Sequence, residues 1–147
     1  MVSSHLGHST HSHDLRVVWA EDSDSDQFLI RAAVADTPYE SNIRFAFDGS
    51  EALHEIARRR PTGVVLDVNM PNMDGITALK RIRRDHADLP VIMFSTAHDV
   101  EQVRECRRLG VLAYEVKPVE FEDFCAVILR MLARFQGPHG RGASVKV

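Results

Sequence analysis

The stretch Gly63-Val64-Val65-Leu66-Asp67-Val68 decides the fold. It is apolar at consecutive positions, as a central parallel strand buried on both faces must be, and an acid interrupts it near its end. The same unit repeats outward from it in both directions. On the N-terminal side, Leu15 to Ala20 and Ile43 to Phe47 are short apolar strands. Each is followed by a stretch with helical spacing, Ser23 to Asp36 and Ser50 to Arg60. On the C-terminal side, helices over Asp74–His86, Asp99–Leu109 and Val119–Phe135 separate strands at Pro90–Phe94 and Val111–Val116. Ser23 can cap its helix, and Asp24 and Asp26 suit the positive end of that helix's dipole. Arg58-Arg59-Arg60 followed by Pro61 stops the second helix, and Gly110 is placed to cap the fourth. Strand–helix alternation five times over predicts an α/β fold, a parallel sheet with helices on both faces and right-handed crossovers.

The whole chain is 147 residues, with 44% hydrophobic and 27% charged residues and a net charge of -3. That is the composition of one globular domain, neither disordered nor collagen-like. No run reaches the roughly 18 apolar residues of a membrane helix, and Met1–Asp14 lacks the apolar core of a secretion signal. The acidic balance gives no footing for nucleic acid held by its phosphates, so neither nucleic acid nor membrane is an expected partner. Cys106 and Cys125 fall inside helices and read as free thiols of a cytoplasmic protein. Residues 1–13, with His5, His8, His11 and His13, are expected to form a flexible arm. Residues 137–147, opened by Gly137-Pro138, are expected to form a flexible tail around a single domain at 14–136. The basic cluster Lys80, Arg81, Arg83 and Arg84 reads as a solvated helix end. Arg104, Arg107 and Arg108 read as simple surface charge or as part of an exposed face that meets a partner, and His98 reads as an exposed loop residue.

Ligands of an open parallel sheet bind beyond the carboxyl ends of its strands. The strands here end in Glu21-Asp22, Asp48-Gly49, Asp67, Ser95-Thr96 and Lys117-Pro118. Three carboxylates, a hydroxyl and a lysine therefore meet on one rim. The acids repel one another, and a hard cation relieves that repulsion. An all-oxygen set suits Mg²⁺ rather than a soft metal.

With these residues in place the chain resembles the receiver domains of two-component response regulators. The resemblance covers about residues 15–135. It rests on Glu21-Asp22, on Leu66-Asp67-Val68-Asn69-Met70-Pro71-Asn72-Met73-Asp74-Gly75, on Pro90-Val91-Ile92-Met93-Phe94-Ser95-Thr96 and on Tyr114-Glu115-Val116-Lys117-Pro118. It implies a flavodoxin-like sheet in the order 2-1-3-4-5. It also implies that Asp67 accepts a phosphoryl group. Asp22, Asp67 and the carbonyl of Asn69 would then hold Mg²⁺, or Mn²⁺, with Glu21 acting mostly through water. Ser95 stands at the switch hydroxyl, Tyr114 at the rotating aromatic, and Lys117 at the lysine that pairs the phosphate, with a cis peptide before Pro118. Three positions depart from the commonest pattern: Ser95 where threonine is usual, Thr96 where a small residue is usual, and Val119 after the Lys-Pro pair.

The implied function is a stand-alone phosphorylation switch, charged by a sensor histidine kinase or a histidine phosphotransfer protein. It would signal to a protein target through the face made by the fourth helix, fifth strand and fifth helix, which could also pair two copies. It is not an enzyme in the ordinary sense, though it assists its own phosphorylation and dephosphorylation. A phosphorelay intermediate is the alternative. A phosphohydrolase with an aspartyl-phosphate intermediate fits less well, because Asn69 stands where such an enzyme needs a second acid. An inert interaction module would have no use for an intact Asp67, Asp22 and Lys117.

Overall fold

The computed structural model describes residues 15–136, so the expected arm and tail lie outside the described residues. Five strands, β1 (Val17–Ala20), β2 (Ile43–Ala46), β3 (Gly63–Leu66), β4 (Val91–Ser95) and β5 (Ala113–Val116), alternate with helices α1 (Asp24–Val34), α2 (Gly49–Arg58), α3 (Gly75–Asp85), α4 (Val100–Arg108) and α5 (Phe121–Ala133). The strands form one sheet in the order β2-β1-β3-β4-β5, parallel at every pairing. This is the expected α/β fold.

Period-two alternation along the strands divides the core in two. Val18, Ala20, Val64, Leu66, Val91 and Met93 face α2, α3 and α4, meeting Ile56, Leu79, Ile82 and Cys106. Val17, Trp19, Val65, Ile92 and Phe94 face α1 and α5, meeting Ile30, Val34, Phe124, Ile128 and Leu132. Both free cysteines are helical, Cys106 buried and Cys125 half-buried; burial raises the Cys106 thiol to about 11.

The helices α1 to α4 begin one residue after an acid or hydroxyl because those residues cap them, whereas Glu120 ahead of α5 makes no such bond. Ser23, Asp48, Asp74 and Asp99 each accept a backbone N–H of the first turn. Caps of this kind contribute about 1 kcal/mol each. The helix α4 ends as expected at Gly110, whose φ of +76° lies in the left-handed region.

Arg83 differs from its reading as part of a solvated helix end. Its guanidinium donates to the carbonyls of Leu109, Gly110 and Leu89 at 2.6, 3.0 and 2.8 Å, clasping the end of α4 to α3 and to the approach to β4. The cis peptide expected before Pro118 is also absent, since every described peptide bond is trans. Trans is the lower-energy isomer of an X–Pro bond by about 0.5–1 kcal/mol, and Lys117 reaches its partners with it.

Candidate functional site

Strand register sets the site. Ala20 pairs with Leu66, so Glu21 and Asp67 leave β1 and β3 side by side, and the Asp67 N–H still donates to the Ala20 carbonyl at 3.1 Å. Ser95 pairs with Val116, and the N–H of Lys117 donates to the Ser95 carbonyl at 2.9 Å. Glu21, Asp67, Ser95 and Lys117 therefore gather at the carboxyl edge of the sheet, with Tyr114 two residues before the end of β5.

Lys117 is the centre of the cluster. Its Nζ lies 2.7 Å from Glu21 Oε1, 2.9 Å from Asp67 Oδ2 and 2.7 Å from Asp26 Oδ2. Glu21 and Asp67 were expected at the site, though not as partners of Lys117; Asp26 was not expected there. Asp67 is 7% exposed, Lys117 9% and Glu21 1%. The other Asp67 oxygen, Oδ1, accepts the N–H of Asn69 at 3.3 Å. Glu21 is held at both ends: Oε2 accepts the N–H of Ser23, and its carbonyl accepts from the buried Gln27 side chain at 2.8 Å. Gln27 is a second residue that sequence reading missed.

Oxygens of Glu21, Asp22 and Asp67 lie within 4.8 Å of one another. The exposed Asp22 carboxylate makes no ion pair or hydrogen bond among the described residues. Hard oxygens at this spacing, one of them unengaged, fit a divalent cation.

The loop after Asp67 is pinned from three sides. Asn72, at φ 63°, donates to Asp48 Oδ2 at 2.8 Å. Gly49 N–H donates to the Met73 carbonyl at 3.0 Å, and Gly75 N–H to the Val68 carbonyl at 2.9 Å. A Cβ on Gly75 would lie 1.9 Å from the Asp67 carbonyl oxygen, so only glycine lets α3 start this close to the acid.

Ser95 and Tyr114, the expected switch pair, share one neighbour. Ser95 Oγ accepts the N–H of Ala97 at 3.2 Å, and Tyr114 Oη donates to the Ala97 carbonyl at 2.5 Å. The Tyr114 ring packs against the core facing α2–α4. Burial raises the phenol to about 12 and keeps it a donor. Of the three departures, Thr96 is exposed and Val119 is 95% exposed, ahead of the first turn of α5. His98 is exposed too, with Nδ1 3.1 Å from the Thr96 carbonyl.

Burial pushes Glu21 up to about 7, against the opposing pull of Lys117. Burial also works against the Lys117 ammonium, but its bonds to Asp26 and Glu21 outweigh it and hold the group above its ordinary range. The two directions are compatible because one ammonium is shared among three acids. Without a metal, the folded chain keeps a proton on Glu21 that the unfolded chain loses between about pH 4.5 and 7. The stability this proton contributes is complete below that window and is lost as pH rises through it. In urea unfolding with chelator, the parent should therefore lose stability relative to Glu21→Gln as pH rises from 4.5 to 7. A constant difference between the two proteins would contradict the assignment.

Among known families, the response regulator receiver domain matches residues 17–129. The regulatory protein AtoC of Escherichia coli (strain K12) is 32% identical over 117 residues, 80% of this chain and 25% of AtoC. The chain thus spans about a quarter of that relative's length. The chemotaxis response regulator CheY4 of Vibrio cholerae superposes with a TM-score of 0.68 at 29% identity, over 82% of this chain and 98% of CheY4. The Mn(2+)-bound form of response regulator Rcp1 shares the fold with a TM-score of 0.70 at 23% identity, over 79% of this chain and 91% of Rcp1. No helix among the described residues is long and apolar enough to cross a membrane.

Proposed function

Because this chain belongs to the response regulator receiver domain family, whose members accept a phosphoryl group on an aspartate, we propose that Asp67 is its phosphoacceptor. The donor is a phosphohistidine, on a sensor histidine kinase or a phosphotransfer protein in the cytoplasm. The observation that carries this reading is the buried Asp67 carboxylate 2.9 Å from Lys117 Nζ, beside the acids of β1.

In the reaction a carboxylate oxygen of Asp67 attacks phosphorus while the P–N bond to the donor histidine breaks. The electron pair of that bond returns to the imidazole. Asp67 becomes an acyl phosphate, and phosphoryl charge builds on the transferred oxygens. Asp22, Asp67 and the Asn69 carbonyl are the residues to hold Mg²⁺, with Glu21 through water; the Mn(2+)-bound state of Rcp1 is a precedent for such a cation. The cation would neutralise phosphoryl charge and fix its orientation. Lys117 would donate to the phosphoryl group, and the N–H of Asn69 lies beside the acceptor acid.

The signal leaves through Ala97. When Ser95 Oγ turns to the phosphoryl group, the Ala97 N–H loses its acceptor. The same residue's carbonyl holds Tyr114, so the β4–α4 loop and Tyr114 respond together. This contact differs between the two states, as a population shift requires. The face of α4, β5 and α5 carries Arg104, Arg107 and Arg108 with exposed Val100, Val116 and Phe121, a mixed surface for a protein target or a second copy.

With acetyl phosphate and Mg²⁺, intact-mass spectrometry should find one phosphoryl group per chain and none with EDTA. Absence of uptake with Mg²⁺ would refute the reading. Ser95→Ala should still be phosphorylated, but the backbone NMR shifts of α4 and β5 should fall well short of the parent's. A full parental pattern in Ser95→Ala would remove Ser95 from the switch.

A further inference from the structure

Building on the assignment of Asp67 above, we propose that Asp26 competes with a phosphoryl group for Lys117 and so limits how tightly the site holds that group. An ammonium has three N–H donors and no more. Those of Lys117 all go to carboxylates: Glu21 at 2.7 Å, Asp26 at 2.7 Å and Asp67 at 2.9 Å. A phosphoryl group on Asp67 takes over the donor that points at Asp67 and draws the ammonium toward itself. Glu21 and Asp26 draw it the other way.

The two are not equal. The Glu21 side chain is almost fully buried and also fixes the backbone of Ser23. The Asp26 side chain is 29% exposed and belongs to another element, α1. Its position is built. Ser23 caps α1 by accepting the N–H of Asp26 at 3.1 Å. An acid at this third helical position commonly returns the bond to the cap's own N–H. Here the Ser23 N–H goes to Glu21, and Asp26 Oδ2 is spent on Lys117 instead. Asp26 does not belong to the group of acids that converge on the cation position. Neutralising it therefore leaves the cation's oxygens in place and returns ammonium charge to the phosphoryl.

The test is beryllofluoride affinity at saturating Mg²⁺, followed by ¹⁹F NMR, for the parent, Asp26→Asn and Asp24→Asn. A partly exposed ion pair implies that Asp26→Asn binds about two- to fivefold more tightly than the parent. Asp24 sits two residues away in the same helical turn, is exposed and makes no ion pair with Lys117. Asp24→Asn removes the same charge and should change affinity by less than about twofold. A purely structural role for Asp26 predicts weaker binding, never tighter. Asp26→Ser, also uncharged, should follow Asp26→Asn. Equal or weaker binding in both Asp26 variants, or equal tightening in Asp24→Asn, overturns the proposal while parental binding leaves the phosphoacceptor reading standing. Failure of the parent to bind beryllofluoride overturns both.

Discussion

Asp67→Asn should take up no phosphoryl group from acetyl phosphate under conditions that label the parent fully. The asparagine keeps the shape of the side chain, and its amide oxygen can still accept from Lys117. What it lacks is a carboxylate oxygen able to form the acyl phosphate. Loss of folding is not the expected cause. Glu21 and Asp22 crowd Asp67 within 4.8 Å, so removing the Asp67 charge relieves its repulsion with Asp22, and with Glu21 above about pH 7. The variant should melt no lower than the parent. Asp22, exposed and unengaged, is the competing acceptor. Borohydride trapping of the labelled parent and peptide mapping separate the two. Label on the peptide holding Asp22, or undiminished labelling of Asp67→Asn, would be incompatible with the assignment.

Gly75→Ala should be the most damaging methyl that can be added near the site. The new Cβ would lie 1.9 Å from the Asp67 carbonyl oxygen and 3.1 Å from Val68 Cα. Both obstacles are backbone, so no rotamer relieves the clash. Either α3 or the end of β3 must move, and the Gly75 to Val68 hydrogen bond strains with it. A cost of about 3 kcal/mol or more is expected in urea unfolding. It outweighs the roughly 1 kcal/mol that alanine ordinarily gains over glycine in a helix. Phosphoryl uptake should fall as well, because the displaced carbonyl belongs to Asp67 itself. Gly110→Ala is the comparison. There the nearest atom is Arg83 Nε at 3.6 Å, and only the left-handed backbone is penalised, by about 1–2 kcal/mol, with phosphoryl uptake intact. Similar losses in the two variants would mean that close approach at Gly75 is unimportant.

The sequence made strand ends readable because a parallel α/β chain puts its polar exceptions there. Val64-Val65-Leu66 cannot hide Asp67 without partners, and the acids and lysine that could serve as partners end the neighbouring strands. Asp26 was not legible as part of the site. Its place in the first turn of α1 already has a local explanation in the helix dipole, and its bond to Lys117 spans 91 residues. Arg83 escaped for a similar reason. Beside Lys80, Arg81 and Arg84, only its place four residues after Leu79 and seven after Ile76, along the buried face, marks the one guanidinium that turns under α4. Ala97 has no polar side chain to notice, since both of its contacts are made by backbone. The trans bond at Pro118 overturned an expectation that rested on family likeness and on no local residue pattern.

The three-carbonyl grip of Arg83 gives α4 a fulcrum. The C-terminal end of this helix is tied to Arg83 through Leu109 and Gly110, whereas its N-terminal end follows directly from the loop that carries Ala97. A disturbance at Ala97 therefore acts on the end of the lever away from Arg83. At about 1.5 Å per residue the arm of nine residues is roughly 13 Å long. A tilt of about 10° then sweeps the far end through roughly 2 Å, while the end beside Arg83 hardly moves. If the proposed switch displaces Ala97, the movement of α4 would be largest near Val100 and smallest near Arg108, beside the end that Arg83 clasps.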